Sequence, residues 1–334
     1  MKEFSPVVKI TFTIIGFMVF AVSFVFAFLN NVPTGFQDGN STKNGASNIF
    51  INTVTDLNAR YPSSFGPADF VFIIIWPLIY LWNTVGIIYM LASLFFTKKK
   101  SPILREPAMF PVFSLIFWSL SWGCSMGWLF AYDREILWLS MFLILASALS
   151  TYATLGFSYA SYYKDTMILE EHDSRMLWLV RIIIHNGYAI LAAWLTVAWK
   201  VMLHTVIAYE DSRGTDNYPA NLRSSLTVED AGTIALSILL VELIVWFVLE
   251  NFVFEPYCRY TLSIYPALIF ALSGTFSNDY VVPFSRNLIL TLVGLIFVII
   301  AFVVRVVLVY IRHKNRPRLD KYRSQEEIIK MDKM

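Results

Sequence analysis

Residues 69–96 read DFVFIIIWPLIYLWNTVGIIYMLASLFF, with Pro67 just before them and Thr97-Lys98-Lys99-Lys100 just after. The only formal charge in the stretch is Asp69, its first residue. A hydrocarbon core roughly 30 Å thick needs about 20 apolar helical residues to cross it, and this run is long enough. Further runs of the same kind begin at Pro6, Met109, Ile136, Leu177, Asp230, Thr261 and Asn287, with hydrophilic joints between them. The pattern predicts an all-α fold, a polytopic transmembrane bundle of about eight spans.

Composition agrees. The chain is 57% hydrophobic and 15% charged, against about 25% charged in a soluble domain, and its mean hydropathy is +0.59. Spans and short joints consume nearly all 334 residues, so no separate soluble catalytic domain fits. The net charge of +2 is spread along the chain and leaves no nucleic-acid footprint. Cys124 and Cys258 fall in or beside spans, where a structural disulfide is not expected. The first run, Pro6 to Leu29, is longer than the roughly 7–15 apolar residues of a secretory signal, and no small-x-small site follows it; it reads as a retained span. There is no Walker loop, dinucleotide fingerprint, HExxH or paired CxxC, and His172, His185, His204 and His313 are too scattered to hold a metal or haem. The expectation is therefore no catalytic residue, no cofactor and no metal.

Basic residues set the orientation. The joint Thr97–Arg105 and the tail from Arg312 are short and strongly positive, and such segments stay cytoplasmic. An even number of spans puts both there, together with the amino terminus. Alternate joints, including 30–68, then face the lumen or exterior, and the chain's one glycosylation sequon, Asn40-Ser41-Thr42, falls in that first exterior joint. The expected layout is a first span over 1–29, a lumenal or extracellular loop over 30–68, a helical core over 69–277, a last span with its preceding loop over 278–313, and a cytoplasmic tail over 314–334. The membrane is the plasma membrane or an endomembrane, and lipid is the first partner.

Polar groups inside the spans are the candidates for chemistry, because a charge at the bilayer centre costs at least about 2.5–3.5 kcal/mol on insertion scales. The fifth span holds the densest set: Arg181, His185, Tyr188, Ala192, Thr196 and Trp199 at three-four spacing, with Asn186, Ala193, Lys200 and His204 about 100° around. In the sixth, Glu242, Trp246 and Glu250 stand at i, i+4 and i+8, so both carboxylates are expected to look one way. Lys200 and Glu242 lie roughly 14 and 18 Å below the same membrane face and are expected to pair. Arg181 and Glu250 match in depth at the other face, with Arg305 as an alternative partner. Such pairs either neutralise each other or line a transport route. Aromatic residues are 16% of the chain. Trp128, Trp138 and Trp178 suit interfacial belts, whereas Trp76, Trp118, Trp122 and Trp194 lie deeper, where an indole N–H needs a partner. Gly123-Cys124-Ser125-Met126-Gly127 is a GxxxG pattern that permits close helix approach, within the bundle or across a dimer seam. Leu308-Val309-Tyr310-Ile311-Arg312 fits a loose cholesterol pattern that also recurs by chance.

Several of these segments are similar to one family. Gly66-Pro67 followed by Phe72, Trp76-Pro77 and Ile79-Tyr80 resembles the first-helix signature of the translocator proteins, also called tryptophan-rich sensory proteins. Phe117-Trp118-Ser119 resembles the Trp-Ser of their second helix, and Tyr188 with Trp194 and Ala198 resembles a later Tyr/Trp/Ala pattern. Tyr265-Pro266-Ala267 is similar to an extra helix of enlarged relatives. Ser114 and Leu115 stand where the family has an asparagine before Trp-Ser, and Lys200 to Met202 where it has another. The likeness runs from Gly66 to Tyr209, or to Gly274, and leaves the first span without a counterpart. It implies a translocator-like five-helix core with an aromatic-lined cavity, often dimeric, that takes a sterol or porphyrin.

Together these readings predict an apolar, flat ligand of that type in a pocket lined by Trp76, Tyr80, Asn83, Trp118, Trp122, Tyr188 and Trp194, for sensing or for transport. The rival is an ion- or proton-coupled transporter or channel whose route passes Lys200, Glu242, His185 and Glu250. A seven-span receptor, if the first run is removed, fits less well, and an enzyme fits least.

Overall fold

The computed structural model of the protein describes residues 4–31, 49–163, 166, 169–170, 173–210, 226–278 and 284–315. Asn40 and most of the tail lie outside them. Among the described residues all regular structure is helical. Helices α1 (Pro6–Asn31), α2 (Val54–Arg60), α3 (Asp69–Ser93), α4 (Val112–Asp133) and α5 (Leu137–Tyr163) lead to α6 (Ser174–Tyr209) and α7 (Val228–Val253). Helices α8 (Glu255–Cys258), α9 (Ile264–Asn278) and α10 (Arg286–Lys314) follow.

Seven helices, α1, α3 to α7 and α10, are long and apolar enough to cross a bilayer. The eighth apolar run departs from expectation: it yields only the 15 residues of α9, about 22 Å of helix. Its first residues are held out of the helix by Asn186, whose side-chain oxygen accepts the backbone N–H of Leu262 at 2.9 Å and of Ser263 at 3.0 Å. At its far end the Asn278 amide donates to Gly66 O at 3.1 Å, so α9 still carries the chain from one end of the bundle to the other. The parity of the topology is therefore that of eight traverses.

Contacts at the two ends bear this out. At one end Lys9 Nζ donates to Arg105 O at 3.3 Å, Arg181 pairs with Glu170 at 3.1 Å, and the Tyr260 hydroxyl meets His313 Nδ1 at 2.8 Å. The amino-terminal segment, the Lys98–Lys100 turn and the end of α10 thus share a side. At the other end Asp133 Oδ1 accepts the N–H groups of Ile51 and Asn52, both at 2.7 Å, and Asn287 donates to Ser64 Oγ at 3.0 Å. Within the 30–68 joint, expected as loop, the chain forms α2. Thr53 accepts from Asp56 N at 3.1 Å and Asp56 accepts from Thr53 N at 3.0 Å, a reciprocal cap that satisfies otherwise orphaned donors.

Packing follows side-chain size and polarity. Helices α4 and α5 form an antiparallel hairpin whose seam is hydroxyl-lined: Ser121 to Thr151 at 2.6 Å, Ser125 to Ser147 at 2.7 Å, and Ser114 to Thr154 O at 3.0 Å. Lipid tails are as apolar as leucine, so small residues and interhelical hydrogen bonds hold such seams. The GxxxG glycines serve the bundle itself, Gly123 facing Val19 of α1 and Gly127 facing Leu143 of α5. Helix α6 is central, touching α3, α5, α7 and α9. Its 61% buried window compares with 22% for α1, which is why α6 can carry polar residues on several faces. Helix α1 lies outside α4 and α3. A Cβ at Gly16 would stand 2.9 Å from the Trp118 ring, so α1 reaches α4 there only because residue 16 is glycine.

Candidate functional site

The expected pocket residues come together. Trp118 and Trp122 from α4, Trp194 and Tyr188 from α6, and Tyr80 and Asn83 from α3 are buried, and Trp76 is half-buried. Their rings fall into two groups, Trp76 with Tyr80, Trp122 and Trp194, and Trp118 with Tyr188. Trp76 stacks obliquely on Tyr80 at 5.9 Å, Tyr80 meets Trp122 at 5.1 Å, Trp76 meets Trp194 edge-on at 6.0 Å, and Trp118 stacks on Tyr188 at 5.8 Å. Between the two groups α1 inserts Phe20, at 4.8 Å from Trp122, 5.8 Å from Trp118 and 6.0 Å from Tyr80, and this ring joins them into one set. Ring centroids 4.5–7 Å apart in offset or edge arrangements are the favoured aromatic geometries.

The polar atoms of this set are the unusual part. The indole N–H groups of Trp118, Trp122 and Trp194, the Tyr188 hydroxyl and Asn83 Oδ1 are buried without a hydrogen-bond partner among the described residues. Trp128, a turn and a half away on α4, differs: its N–H finds Met202 Sδ at 3.0 Å. A buried donor left unmade costs about 1–3 kcal/mol, so several in one cluster mark a place where an acceptor is wanted.

The intramembrane charges are arranged in separate groups. Lys200 Nζ donates to Glu242 Oε2, with the ammonium fully buried and the carboxylate 39% exposed on the outer surface of α7. Glu250 is fully buried and meets Arg305 of α10, Nε to Oε1 at 3.1 Å, while its other oxygen accepts from the Tyr265 hydroxyl at 2.6 Å. The two carboxylates of α7 therefore do not look one way. Eight residues turn a helix 800°, already 80° past two full turns, and Glu250 lies in the π-helical segment Leu249–Val253. Arg181 does not meet Glu250 either. It pairs with Glu170, donates to the Tyr162 hydroxyl at 2.8 Å, and lies over the Tyr260 ring at 4.0 Å. His185 meets Ser158 Oγ at 2.8 Å. Both Arg181 and His185 lie in a second π-helical segment, Val180–His185. In the joint after α7, burial pushes the Cys258 thiol up to about 12, with the nearby Glu250 charge adding to the effect and Arg305 opposing it; it is a packed, unreactive thiol.

A family model described as TSPO-like protein matches residues 13–249. The chain belongs to the TSPO-like family. With its long apolar helices, it is an integral, multi-pass membrane protein of the TSPO type. Neither the comparison with curated proteins nor that with solved structures returned a match. The matched segment takes in α1 from Thr13 onward and stops at Leu249, whereas the residue-level likeness starts only at Gly66. In this TSPO-like protein α1 therefore falls inside the family segment, and α9 and α10 lie beyond it. Sequence reasoning missed Phe20 and Phe110 and met Phe72 only as part of the family signature; Phe72 and Phe110 flank Trp194 at 5.3 Å and Tyr188 at 5.6 Å. No signal marks Phe20, because one phenylalanine in an almost wholly apolar helix looks like the next, and Phe110 lies in the turn before α4.

Proposed function

We propose that this TSPO-like protein binds an apolar, flat ligand of sterol or porphyrin type in the aromatic set shared by α3, α4 and α6. One observation carries the reading: three indole N–H groups and one phenol hydroxyl are buried and unpartnered within the group of rings that Phe20 joins. Ring faces supply apolar area, and a donor-rich lining matches acceptor oxygens such as the carboxylates of a porphyrin or the hydroxyl of a sterol. Apolar walls with a few oriented polar groups are the usual make-up of small-molecule sites. The rings now fill the space with each other and with Phe20, so a ligand takes the place of α1's side chain.

The test is titration of a porphyrin and of a sterol probe against the purified protein, read by quenching of tryptophan fluorescence. Trp118→Ala and Trp194→Ala should each weaken saturable binding roughly tenfold or more, through lost stacking and apolar contact, and Glu242→Gln should leave it nearly unchanged. Binding indifferent to both tryptophans would overturn the assignment. Flux or charge movement lost in Glu242→Gln but kept in the tryptophan variants would favour the transporter instead.

A further inference from the structure

At the end of the bundle that gathers the amino-terminal segment and the end of α10, a cavity of about 590 Å³ opens beside the 3₁₀ turn Lys98–Lys100. Lys98, Lys99, Lys100 and Arg105 line it, together with the buried Leu104 and Leu169. Two carboxylates also line it, Glu106 and Asp173. Asp173 is committed elsewhere: its Oδ1 accepts Met176 N at 3.2 Å and caps the start of α6. Glu106 is exposed. Four cations against two acids leave the cavity positive, and its volume lies within the roughly 300–1,000 Å³ of ordinary ligand sites.

The chain leading into the turn says what kind of molecule the cavity meets. Phe95 is 91% exposed and Phe96 46% exposed, directly before Thr97 and the lysines. Exposed phenylalanines abutting a lysine run place the cavity at the boundary between acyl chains and headgroups. A free anion has no use for the phenylalanines. A lipid uses both, its chains against Phe95 and Phe96 and its charged head in the cavity.

We propose that this cavity is a binding site for the phosphorylated headgroup of an anionic membrane lipid. The lysines supply rotatable donors to phosphate oxygens, and Arg105 adds a fourth positive charge to the lining. Basic pockets at the membrane-facing ends of helices are suited to such headgroups. Orientation by the positive joint alone requires only that the lysines exist; it requires no cavity for them to line.

The experiment titrates short-chain phosphatidylinositol 4,5-bisphosphate into the full-length protein in detergent and follows binding by calorimetry. Saturable binding is expected. Replacing Lys98, Lys99 and Lys100 together by glutamine should weaken it at least tenfold, and Glu106→Gln should tighten it, since that carboxylate opposes the phosphate. Lys314→Gln, at the same end but outside the cavity, should change nothing. All five side chains are exposed, and an unchanged thermal transition in each variant confirms folding. Inositol 1,4,5-trisphosphate, the soluble head without its chains, should bind at least tenfold more weakly. Equal binding of the soluble head would overturn the lipid assignment, and an equal loss in Lys314→Gln would reduce the effect to general charge attraction. An unaffected triple variant would remove the site altogether.

Discussion

At the scale of single residues, the Lys200–Glu242 pair separates chemistry from architecture. Lys200 is fully buried, and its ammonium reaches the partly exposed Glu242 carboxylate of α7. Removing Glu242 leaves the buried Lys200 ammonium uncompensated, and removing Lys200 leaves a carboxylate on a membrane-spanning helix without its partner, so each single change costs stability. Lys200→Met and Glu242→Gln should therefore each lower the unfolding midpoint in detergent markedly, and the double replacement should recover most of the loss. Additive losses in the double-mutant cycle would show that the two do not act as a pair. The same logic makes Glu250 and Arg305 a poor choice for a functional test. That pair is knitted to Asn251 and to the Cys258 and Arg259 carbonyls, so any change there reports on folding.

At the scale of elements, α1 is the part whose role the bundle defines. Most of its surface faces outward, and it touches α4 closely at Gly16 and Phe20. Phe20 sits among Tyr80, Trp118 and Trp122 as an occupant of the aromatic set. Phe20→Ala should thus loosen α1 yet strengthen probe binding, because a ring that competes for the same faces is gone. Titration of the porphyrin probe decides it: weaker binding in Phe20→Ala would make Phe20 part of the wall and not an occupant. The two π-helical segments, in α6 and α7, matter at this scale too. Each adds a residue to a helical turn, and they bring Arg181 to Glu170 and Glu250 to Arg305.

At the scale of the whole molecule, the end that carries Lys9, Lys98–Lys100 and His313 is the basic end, and the positive-inside rule predicts that it faces the cytoplasm. A cysteine placed at Lys99 should resist an impermeant thiol reagent added to intact cells. Asn40 should carry a glycosidase-sensitive glycan that Asn40→Gln removes. Labelling of the Lys99 cysteine from outside would invert the arrangement. Helix α9 is the element on which this parity depends, since without its traverse the two basic segments would face opposite sides.

Hydropathy is a sum over neighbouring residues in the chain, so lipid as the solvent, the number of apolar runs and their approximate limits were all legible in residues such as 69–96 and 286–314. The depth of Lys200 and Glu242 was legible for the same reason, because rise along a helix is a simple count. The gathering of Trp118, Trp122, Tyr188 and Trp194 was readable from their depth and from the family's motif. What only the tertiary structure decided depends on azimuth and on neighbours. Glu250 takes Arg305 because a π-helical turn resets which way it faces, α9 starts late because Asn186 of a distant helix claims its first N–H groups, and Phe20 becomes special because Gly16 lets α1 close on Trp118. Each is a contact between helices far apart in the chain, and nothing in the local sequence of either partner encodes it.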